Sequence, residues 1–263
     1  MERNSIILNS VRIISEGMEC LDDKRQESIT DRQERVKGFD QKKLESTTIN
    51  LIGCGGLGSE IGEGLLRKGV RNLYLYDGDK VEISNLTRQR FYKKDLHKNK
   101  AISLAENLSK EAVKKTVIRA IPAMFQEAVE DKINGEGIAI CGVDNNPTRV
   151  FVSQYHYKKK LPVIFTAVSR DANHGYVFVQ EPGKACFGCL FPQSVNDNTY
   201  PCPGTPAIKD ILKVVSGMVL YAVDTLIMKR PRNWSYKEVF LDGFPDRVWQ
   251  VERKEDCKLC KGL

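Results

Sequence analysis

Four glycines within six residues, Gly53-Cys54-Gly55-Gly56-Leu57-Gly58, constrain the fold of this chain more than any other segment. An apolar, β-branched run, Thr48 to Ile52, precedes them, and a helical pattern from Ser59 to Lys68 follows. Strand, glycine loop and helix in this order form the phosphate-binding turn of nucleotide-binding α/β folds. The loop backbone can approach a phosphate closely, and the helix supplies free N–H groups at its amino end. The sequence therefore predicts that Gly53, Gly55, Gly56 and Gly58 cradle a nucleotide.

A carboxylate follows the second strand-like run of the chain. Asp77 comes nineteen residues after Gly58 and directly after the run 72–76. A carboxylate at this place in nucleotide-binding folds accepts hydrogen bonds from a ribose. The same geometry serves NAD, FAD, S-adenosylmethionine and ATP, so it does not select the nucleotide. In the alternative interpretation, Asp77 only begins the turn that continues through Gly78 and Asp79.

The rest of the chain alternates strand and helix patterns. Strands are predicted near 48–53, 71–77, 116–121, 137–141 and 162–167, and helices at 58–68, 98–111 and 147–159. This alternation predicts an α/β fold with a Rossmann-like, doubly wound, mostly parallel sheet. Beyond residue 170 we expect antiparallel strands, predicted at 174–180, 237–242 and 247–252, and one long apolar helix at 208–228.

Two units are expected within the 263 residues: an N-terminal arm over 1–30 and one large domain over 31–263, which begins with a charged helix at 31–44. No apolar run approaches the roughly 20 residues of a membrane span, and the first residues are polar, so a cytoplasmic protein without membrane contact is expected. The net charge of +7 suits an anionic nucleotide or an acidic partner. No basic run is interleaved with aromatics, so we do not expect nucleic-acid binding.

Cationic and amide side chains follow the strand-like run 72–76 and Asp77, and they favour a triphosphate over a dinucleotide as the ligand. They are Asn85, Arg88, Gln89 and Lys100. Arginine and lysine can neutralise the charge that develops as pyrophosphate leaves. Asp144 follows a further strand, where a carboxylate could hold Mg²⁺. Its residue type equally suits an N-cap of the helix that begins at Pro147, and the residues leave both interpretations open.

Together these motifs resemble the HesA/MoeB/ThiF adenylyltransferases, relatives of the ubiquitin-activating enzymes, over about residues 31–260. The shared motifs are Gly53-x-Gly55-Gly56-x-Gly58-Ser59, Asp77-x-Asp79-x-Val81, Ser84-Asn85-Leu86-x-Arg88-Gln89, Lys100-Ala101 and Asp144-Asn145 followed by Arg149. The resemblance implies a homodimer that uses ATP and Mg²⁺ to adenylate the C-terminal glycine of a small ubiquitin-fold or sulfur-carrier protein. It implies that Asp77 and Asp79 bind the nucleotide, with Asp77 at the ribose, and that Asp144 coordinates Mg²⁺. The residues that it places around the phosphates are Asn85, Arg88, Gln89 and Lys100. Arg32 and Arg35 resemble arginines that reach across the dimer to the partner's ATP.

Five of the eight cysteines fall into a pattern. Cys186-x-x-Cys189 and Cys257-x-x-Cys260 could form one tetrahedral zinc site, whereas a single pair of this type could also be a redox pair. The family resemblance favours structural zinc that pins the C-terminal tail. Cys202 lies in a proline-rich segment at a position where many family members keep a cysteine, which implies a thioester or sulfur-transfer step after adenylation. A cysteine without a catalytic role is the alternative.

Other functions remain open on the sequence alone. The chain could adenylate a short ribosomal peptide, or it could be a relative that modifies tRNA. An NAD-dependent oxidoreductase would explain the glycine loop and Asp77, but it gives no role to Arg88, Lys100 or Asp144. A relative that only binds a partner is disfavoured because every phosphate-facing residue is retained.

Overall fold

The computed structural model describes residues 4–8, 11–15, 28–130, 136–197 and 206–262. The strands of these segments are β1 (Asn4–Leu8), β2 (Val11–Ser15), β3 (Thr48–Ile52), β4 (Asn72–Tyr76), β5 (Val117–Ile121), β6 (Ile138–Cys141), β7 (Val163–Val168), β8 (His174–Gln180), β9 (Tyr236–Phe240) and β10 (Arg247–Trp249). The α-helices are α1 (Asp31–Glu34), α2 (Gln41–Ser46), α3 (Gly56–Arg67), α4 (Lys100–Leu108), α5 (Phe125–Glu130), α6 (Asn146–Lys159), α7 (Phe187–Leu190) and α8 (Lys209–Ile227).

The main sheet has eight strands in the order β10-β9-β8-β7-β6-β3-β4-β5. Strands β3 to β7 pair in parallel, whereas β8, β9 and β10 continue the sheet in antiparallel fashion. The order reverses at β3, because β4 lies on one side of it and β6 on the other. The prediction of a doubly wound, mostly parallel sheet with antiparallel C-terminal strands is therefore confirmed. Strands β1 and β2 pair in antiparallel fashion as a second, two-stranded sheet.

Both faces of the sheet are covered by apolar side chains, and this explains the continuous apolar runs in the strands. Successive strand residues point to opposite faces, so Leu51 joins one buried cluster and Ile52 the other. The first cluster contains residues of α3, α4 and α8, such as Leu65, Leu104 and Val215. The second contains residues of α5, α6 and α7.

Helix α8 runs over 19 residues and buries Ile211, Val215 and Val219 in the first cluster. Its apolar pattern therefore serves the protein core. Among the helices that the structure describes, none combines the length and the apolar composition required to cross a lipid bilayer.

The sequence-based elements differ from the structure in a few places. The single helix predicted at 31–44 is wrong, since α1 and α2 are separated by Gly38, whose φ of +78° breaks the helix. Helix α2 then begins with its own N-cap, because Asp40 accepts a hydrogen bond from the Lys43 N–H at 3.1 Å. Helix α5 was not predicted, and the last strand covers only 247–249.

Candidate functional site

The glycine loop connects β3 to α3 in a tightly packed turn. Gly53 has a φ of +96°, and its N–H donates to the Tyr76 carbonyl at 2.9 Å. A Cβ at Gly58 would lie only 2.1 Å from the carbonyl oxygen of Gly53. Gly55 is the N-cap of α3 and offers no side chain that could cap the helix. The amino end of α3 is therefore suited to receive an anion through its backbone N–H groups.

The carboxylate of Asp77 is tied to this loop. One oxygen accepts from the Cys54 N–H at 2.8 Å, and the other accepts from the Asp79 N–H at 2.9 Å. Burial raises the pKa of Asp77, while the nearby Lys100 ammonium and the two backbone donors act in the opposite direction. Asp77 thus fixes the loop as well as ending β4, and each oxygen keeps a second lone pair for a ligand hydroxyl.

Lys100 stands beside Asp77 at the start of α4. Its Nζ lies 2.9 Å from Oδ2 of Asp79. Burial disfavours the charged form of Lys100, but the carboxylates of Asp77 and Asp79 outweigh burial and raise the lysine's pKa. The side chain is therefore a fixed cation near the glycine loop.

Asn99 was not among the predicted site residues, although it organises this corner. Its Nδ2 donates to the carbonyls of Asp77 and Asp79 at 2.8 and 3.2 Å, and its Oδ1 accepts from the Ile102 N–H at 3.1 Å. It is the N-cap of α4 and joins the start of that helix to the segment that follows β4. The sequence signal was an Asn directly before a helix, which is a typical N-cap pattern.

The segment 82–90 packs against the glycine loop and the first turn of α3. Asn85 is buried, and its Oδ1 accepts from the Glu82 N–H at 3.0 Å, so its side chain shapes the segment. Gln89 is also buried, and its Nε2 lies 3.9 Å from where a Cβ of Gly55 would be. Within the described residues the Oε1 atom of Gln89 has no hydrogen-bond partner.

Arg88 is the cation of this segment. Its Nη1 donates to the Ser84 carbonyl at 2.6 Å, and the described part of the chain shows no carboxylate paired with it. The backbone N–H of Arg90 donates to the Ser59 hydroxyl at 3.1 Å and so fastens the segment to α3. The segment that carries Arg88 is therefore bonded to the first turn of α3, and the Arg88 guanidinium has no anionic partner among the described residues.

The loop after β6 carries Asp144 to the same edge of the sheet. Its Gly142 N–H donates to the Ile52 carbonyl at 2.9 Å, which joins the loop to the end of β3. Asn145, and not Asp144, is the N-cap of α6, since its Oδ1 accepts from the Thr148 N–H at 2.9 Å. The N-cap interpretation of Asp144 is therefore wrong. Its carboxylate is exposed and has no hydrogen-bond or ion-pair partner among the described residues.

Arg32 and Arg35 are not part of this cluster within one chain. The Nε2 atom of Gln33, on the same short helix, donates to the carbonyl of Lys68 at 2.8 Å. Lys68 follows the carboxyl end of α3, which is about 18 Å long at 1.5 Å per residue, and the glycine loop lies at the other end. Arg35 pairs with Asp31 at 2.7 Å.

The four paired cysteines converge at one point. All are buried, and their Sγ atoms lie within 4.8 Å of one another, with separations of 3.7, 3.5 and 3.6 Å for Cys186–Cys189, Cys186–Cys257 and Cys189–Cys260. A tetrahedron of thiolates about 2.3 Å from zinc places its sulfurs roughly 3.8 Å apart. Burial raises the pKa of Cys257, but the N–H groups of Leu259 and Cys260 and the neighbouring thiols outweigh it and lower that pKa. This cluster could hold a metal ion.

Cys202 falls outside the described residues. A cavity of about 390 Å³ lies at the opposite, amino edge of the parallel strands, where Thr47, Gly137 and Pro162 line it together with Ile227. None of the predicted site residues that the structure describes lines this cavity. Ligands of open α/β sheets bind at the carboxyl edge, so the cluster around the glycine loop is the better candidate.

Comparison with known families gives one consistent result. The profile of the ThiF family matches residues 27–260. The molybdopterin-synthase adenylyltransferase of Salmonella typhimurium is 25% identical over 235 residues, which cover 87% of this chain and 94% of that protein. The sulfur carrier protein ThiS adenylyltransferase of Bacillus subtilis is 31% identical over 154 residues, which cover 57% of this chain and 45% of that protein.

Other relatives are longer than this chain. The adenylyltransferase and sulfurtransferase MOCS3 of Caenorhabditis briggsae is 26% identical over 226 residues, which cover 84% of this chain and 56% of that protein. The chain spans about half the length of the first curated relatives that it matches. Among solved structures, Escherichia coli MccB with ATP superposes with a TM-score of 0.70 at 20% identity, covering 84% of this chain and 68% of that chain. At this identity the likeness shows the fold alone.

Proposed function

This chain belongs to the ThiF family, and from that premise we propose that it adenylates the C-terminal glycine of a small ubiquitin-fold or sulfur-carrier protein. In this reaction a carboxylate oxygen of the terminal glycine attacks the α-phosphorus of ATP. An O–P bond forms to the glycine, the bond between the α-phosphorus and the bridging oxygen breaks, and pyrophosphate leaves with that oxygen. The names of the relatives from Salmonella typhimurium and Bacillus subtilis support this class of reaction.

The protein contributes alignment and charge compensation, because this displacement requires no covalent step on a side chain. The backbone N–H groups at the start of α3 would hold phosphate oxygens. Asp77 would accept from the ribose hydroxyls with the lone pairs that its two backbone contacts leave. Gln89, whose Oε1 has no partner among the described residues, lies close enough to Gly55 to contact the nucleotide.

Three charged residues would serve the departing pyrophosphate. Arg88 and Lys100 would supply positive charge. Asp144 fits a magnesium ligand, because Mg²⁺ with ATP is usually held by one or two carboxylates plus phosphate oxygens. Mg²⁺ would neutralise phosphate charge there. The observation that carries the proposal is the exposed carboxylate of Asp144, which has no partner among the described residues, on a loop that packs against Gly53. The segment that carries Arg88 is bonded to the first turn of α3, and Lys100 lies near Asp77, which accepts from the Cys54 N–H of the glycine loop.

We place Arg35 in the site of a second copy of the chain. Its position beyond the carboxyl end of α3 excludes contact with the glycine loop of its own chain in this conformation, which fits the family's use of an arginine across a homodimer. Cys202 would act after adenylation, as the thiol that receives the activated carboxyl group or takes part in sulfur transfer. A thioester would form between its sulfur and the glycine carbonyl, and AMP would leave.

The cysteine cluster would bind a structural zinc ion, because four thiolates fill all coordination positions. We expect one zinc per chain, and we expect Cys257→Ser to lose the metal and at least about 2 kcal/mol of stability, or roughly 4–8 °C in the thermal midpoint. Elemental analysis and thermal melting measure both effects. Cys202→Ser is the matched control and should retain zinc. Wild-type protein that is purified from zinc-supplemented medium and holds no stoichiometric metal would contradict this assignment.

A short ribosomal peptide is the second candidate substrate. The likeness to MccB favours this candidate. One matched structure is described as the microcin C7 biosynthetic enzyme MccB in complex with N-formylated MccA. It superposes with a TM-score of 0.71 at 21% identity and covers 84% of this chain and 69% of that chain. The same adenylation geometry would serve a peptide carboxylate. An experiment that compares a carrier protein with a short peptide as the substrate therefore distinguishes the two candidates.

Exchange of labelled pyrophosphate into ATP tests the proposal. We expect exchange that requires Mg²⁺ and a ubiquitin-fold protein ending in Gly-Gly, because only a reversible adenylate returns the label to ATP. The same carrier without its last glycine is the control. Exchange with short peptides alone would favour the second candidate. Absence of exchange with any carboxylate substrate, together with hydride transfer to NAD, would refute adenylation.

A further inference from the structure

The guanidinium of Arg149 contacts the loop that carries Asp144. Arg149 lies in the first turns of α6 and its side chain points back toward the amino end of that helix. Its Nε and Nη2 donate to the carbonyl oxygen of Val143 at 3.1 and 2.7 Å. Its Nη1 lies 3.5 Å from Oδ1 of Asn146. One side chain therefore holds the peptide that joins Val143 to Asp144.

The partly buried guanidinium of Arg149 bonds backbone rather than a carboxylate. A guanidinium normally pairs its parallel N–H groups with a carboxylate. In the described part of the chain, Arg149 has no carboxylate partner, and two of its N–H groups donate to one backbone carbonyl. The side chain is therefore committed to the shape of the loop.

The other hydrogen bonds of the loop that the structure describes do not reach the carbonyl of this peptide. Gly142 is bound to Ile52 on one side, and on the other side Asn145 caps Thr148 while Asn146 Nδ2 donates to Asp197 at 2.7 Å. Between these anchors, the described residues offer only Arg149 as a donor to the Val143 carbonyl. Rotation of that peptide would swing the Asp144 side chain, because the two groups share one short stretch of backbone.

We propose that Arg149 is a positioning residue that orients Asp144 by fixing the Val143–Asp144 peptide. The inference rests on the proposed adenylation, in which Asp144 faces the phosphates. A displacement of about 1 Å in such a site can lower a rate roughly 100-fold. Arg149 acts through the backbone and does not itself have to touch the nucleotide.

Arg149→Ala tests this role, with Lys158→Ala as the matched control, because Lys158 is an exposed cation on the same helix. We expect Arg149→Ala to lower the maximal pyrophosphate exchange rate by about 10- to 100-fold with little change in the KM for ATP. Guanidinium ion at millimolar concentration should restore part of the rate, whereas equal concentrations of ammonium should not. Arg149→Lys should retain an intermediate rate, because one ammonium can still donate to the carbonyl.

A second readout needs no activity. Hydrogen–deuterium exchange of the nucleotide-free protein should be faster over 141–149 in Arg149→Ala and unchanged in Lys158→Ala, with the rest of the sheet unaffected in both. Unchanged uptake over 141–149, or a maximal rate within threefold of wild type, would overturn the proposal. If the wild type shows no pyrophosphate exchange, the proposed function fails, and the deuterium uptake alone decides whether Arg149 holds the loop.

Discussion

Replacement of Asp144 by Ala is expected to reduce magnesium-dependent pyrophosphate exchange by at least about 1000-fold. The carboxylate is exposed and unpaired within the described residues, so its removal costs the fold little but deletes the only acidic side chain of the loop between β6 and α6. We therefore expect the thermal midpoint to stay within about 2 °C of wild type. Exchange kinetics at saturating Mg²⁺, ATP and carrier protein measure the effect.

Two further variants serve as comparisons for Asp144→Ala in the same exchange assay. Asp144→Asn keeps an oxygen but loses the charge and should fall between wild type and Asp144→Ala. Cys202→Ala should leave exchange unchanged, because the transfer step would follow adenylation. Exchange by Asp144→Ala within threefold of wild type would remove Asp144 from the site. A large loss of exchange in Cys202→Ala would show that adenylation and transfer are not separate.

The second large effect is expected at Gly58, where an added methyl group has no space. A Cβ there would lie 2.1 Å from the Gly53 carbonyl oxygen, and a backbone atom cannot move aside as a flexible side chain can. We expect Gly58→Ala to lose about 2 kcal/mol or more of stability, which is roughly 4–8 °C in the thermal midpoint. Because the clash displaces the loop, ATP affinity should fall at least about tenfold. Thermal melting and calorimetric titration with ATP measure these quantities.

Gly217→Ala is the matched control, since Gly217 also lies inside a helix, α8, and its Cβ would meet nothing within 4 Å. Alanine is favoured over glycine in a helix by about 1 kcal/mol, so this variant should be as stable as wild type or more stable. It should bind ATP normally. If Gly58→Ala and Gly217→Ala behave alike, the close approach of α3 to the glycine loop does not determine nucleotide binding.

Local pattern was enough to predict most of the fold. Apolar runs of strand length and amphipathic helical stretches predicted the parallel core, and the strand order confirms it. The resemblance drawn from the motifs is confirmed by the family match over 27–260. The pattern failed at 31–44, where charged residues favour a helix but Gly38 adopts a positive φ. It also missed α5, whose six residues are too few for a clear period.

At the candidate site, too, the sequence predicted some residue roles and the tertiary structure revealed others. Asp77 was predicted as a ribose ligand, and the structure adds that one of its oxygens holds the glycine loop through the Cys54 N–H, while the other accepts from the Asp79 N–H. The sequence could not choose between a magnesium ligand and an N-cap for Asp144, because both roles use the same residue type. The tertiary structure assigns the cap to Asn145. Asn99 and Arg149 donate to backbone carbonyls. A cap pattern and a motif mark these two residues in the sequence, but neither shows which carbonyl the side chain reaches.

By itself, the sequence determined the sheet, the glycine loop and the pairing of the four cysteines in two short motifs, since each depends on residues that are close along the chain. Only the tertiary structure decided which distant groups meet: Lys100 beside Asp77 and Asp79, Cys186 beside Cys257, and Arg35 away from its own loop. The physical reason is the distance along the chain over which each effect acts. Propensity and capping act over a few residues, whereas the relative positions of strand ends follow from the packing of the whole sheet.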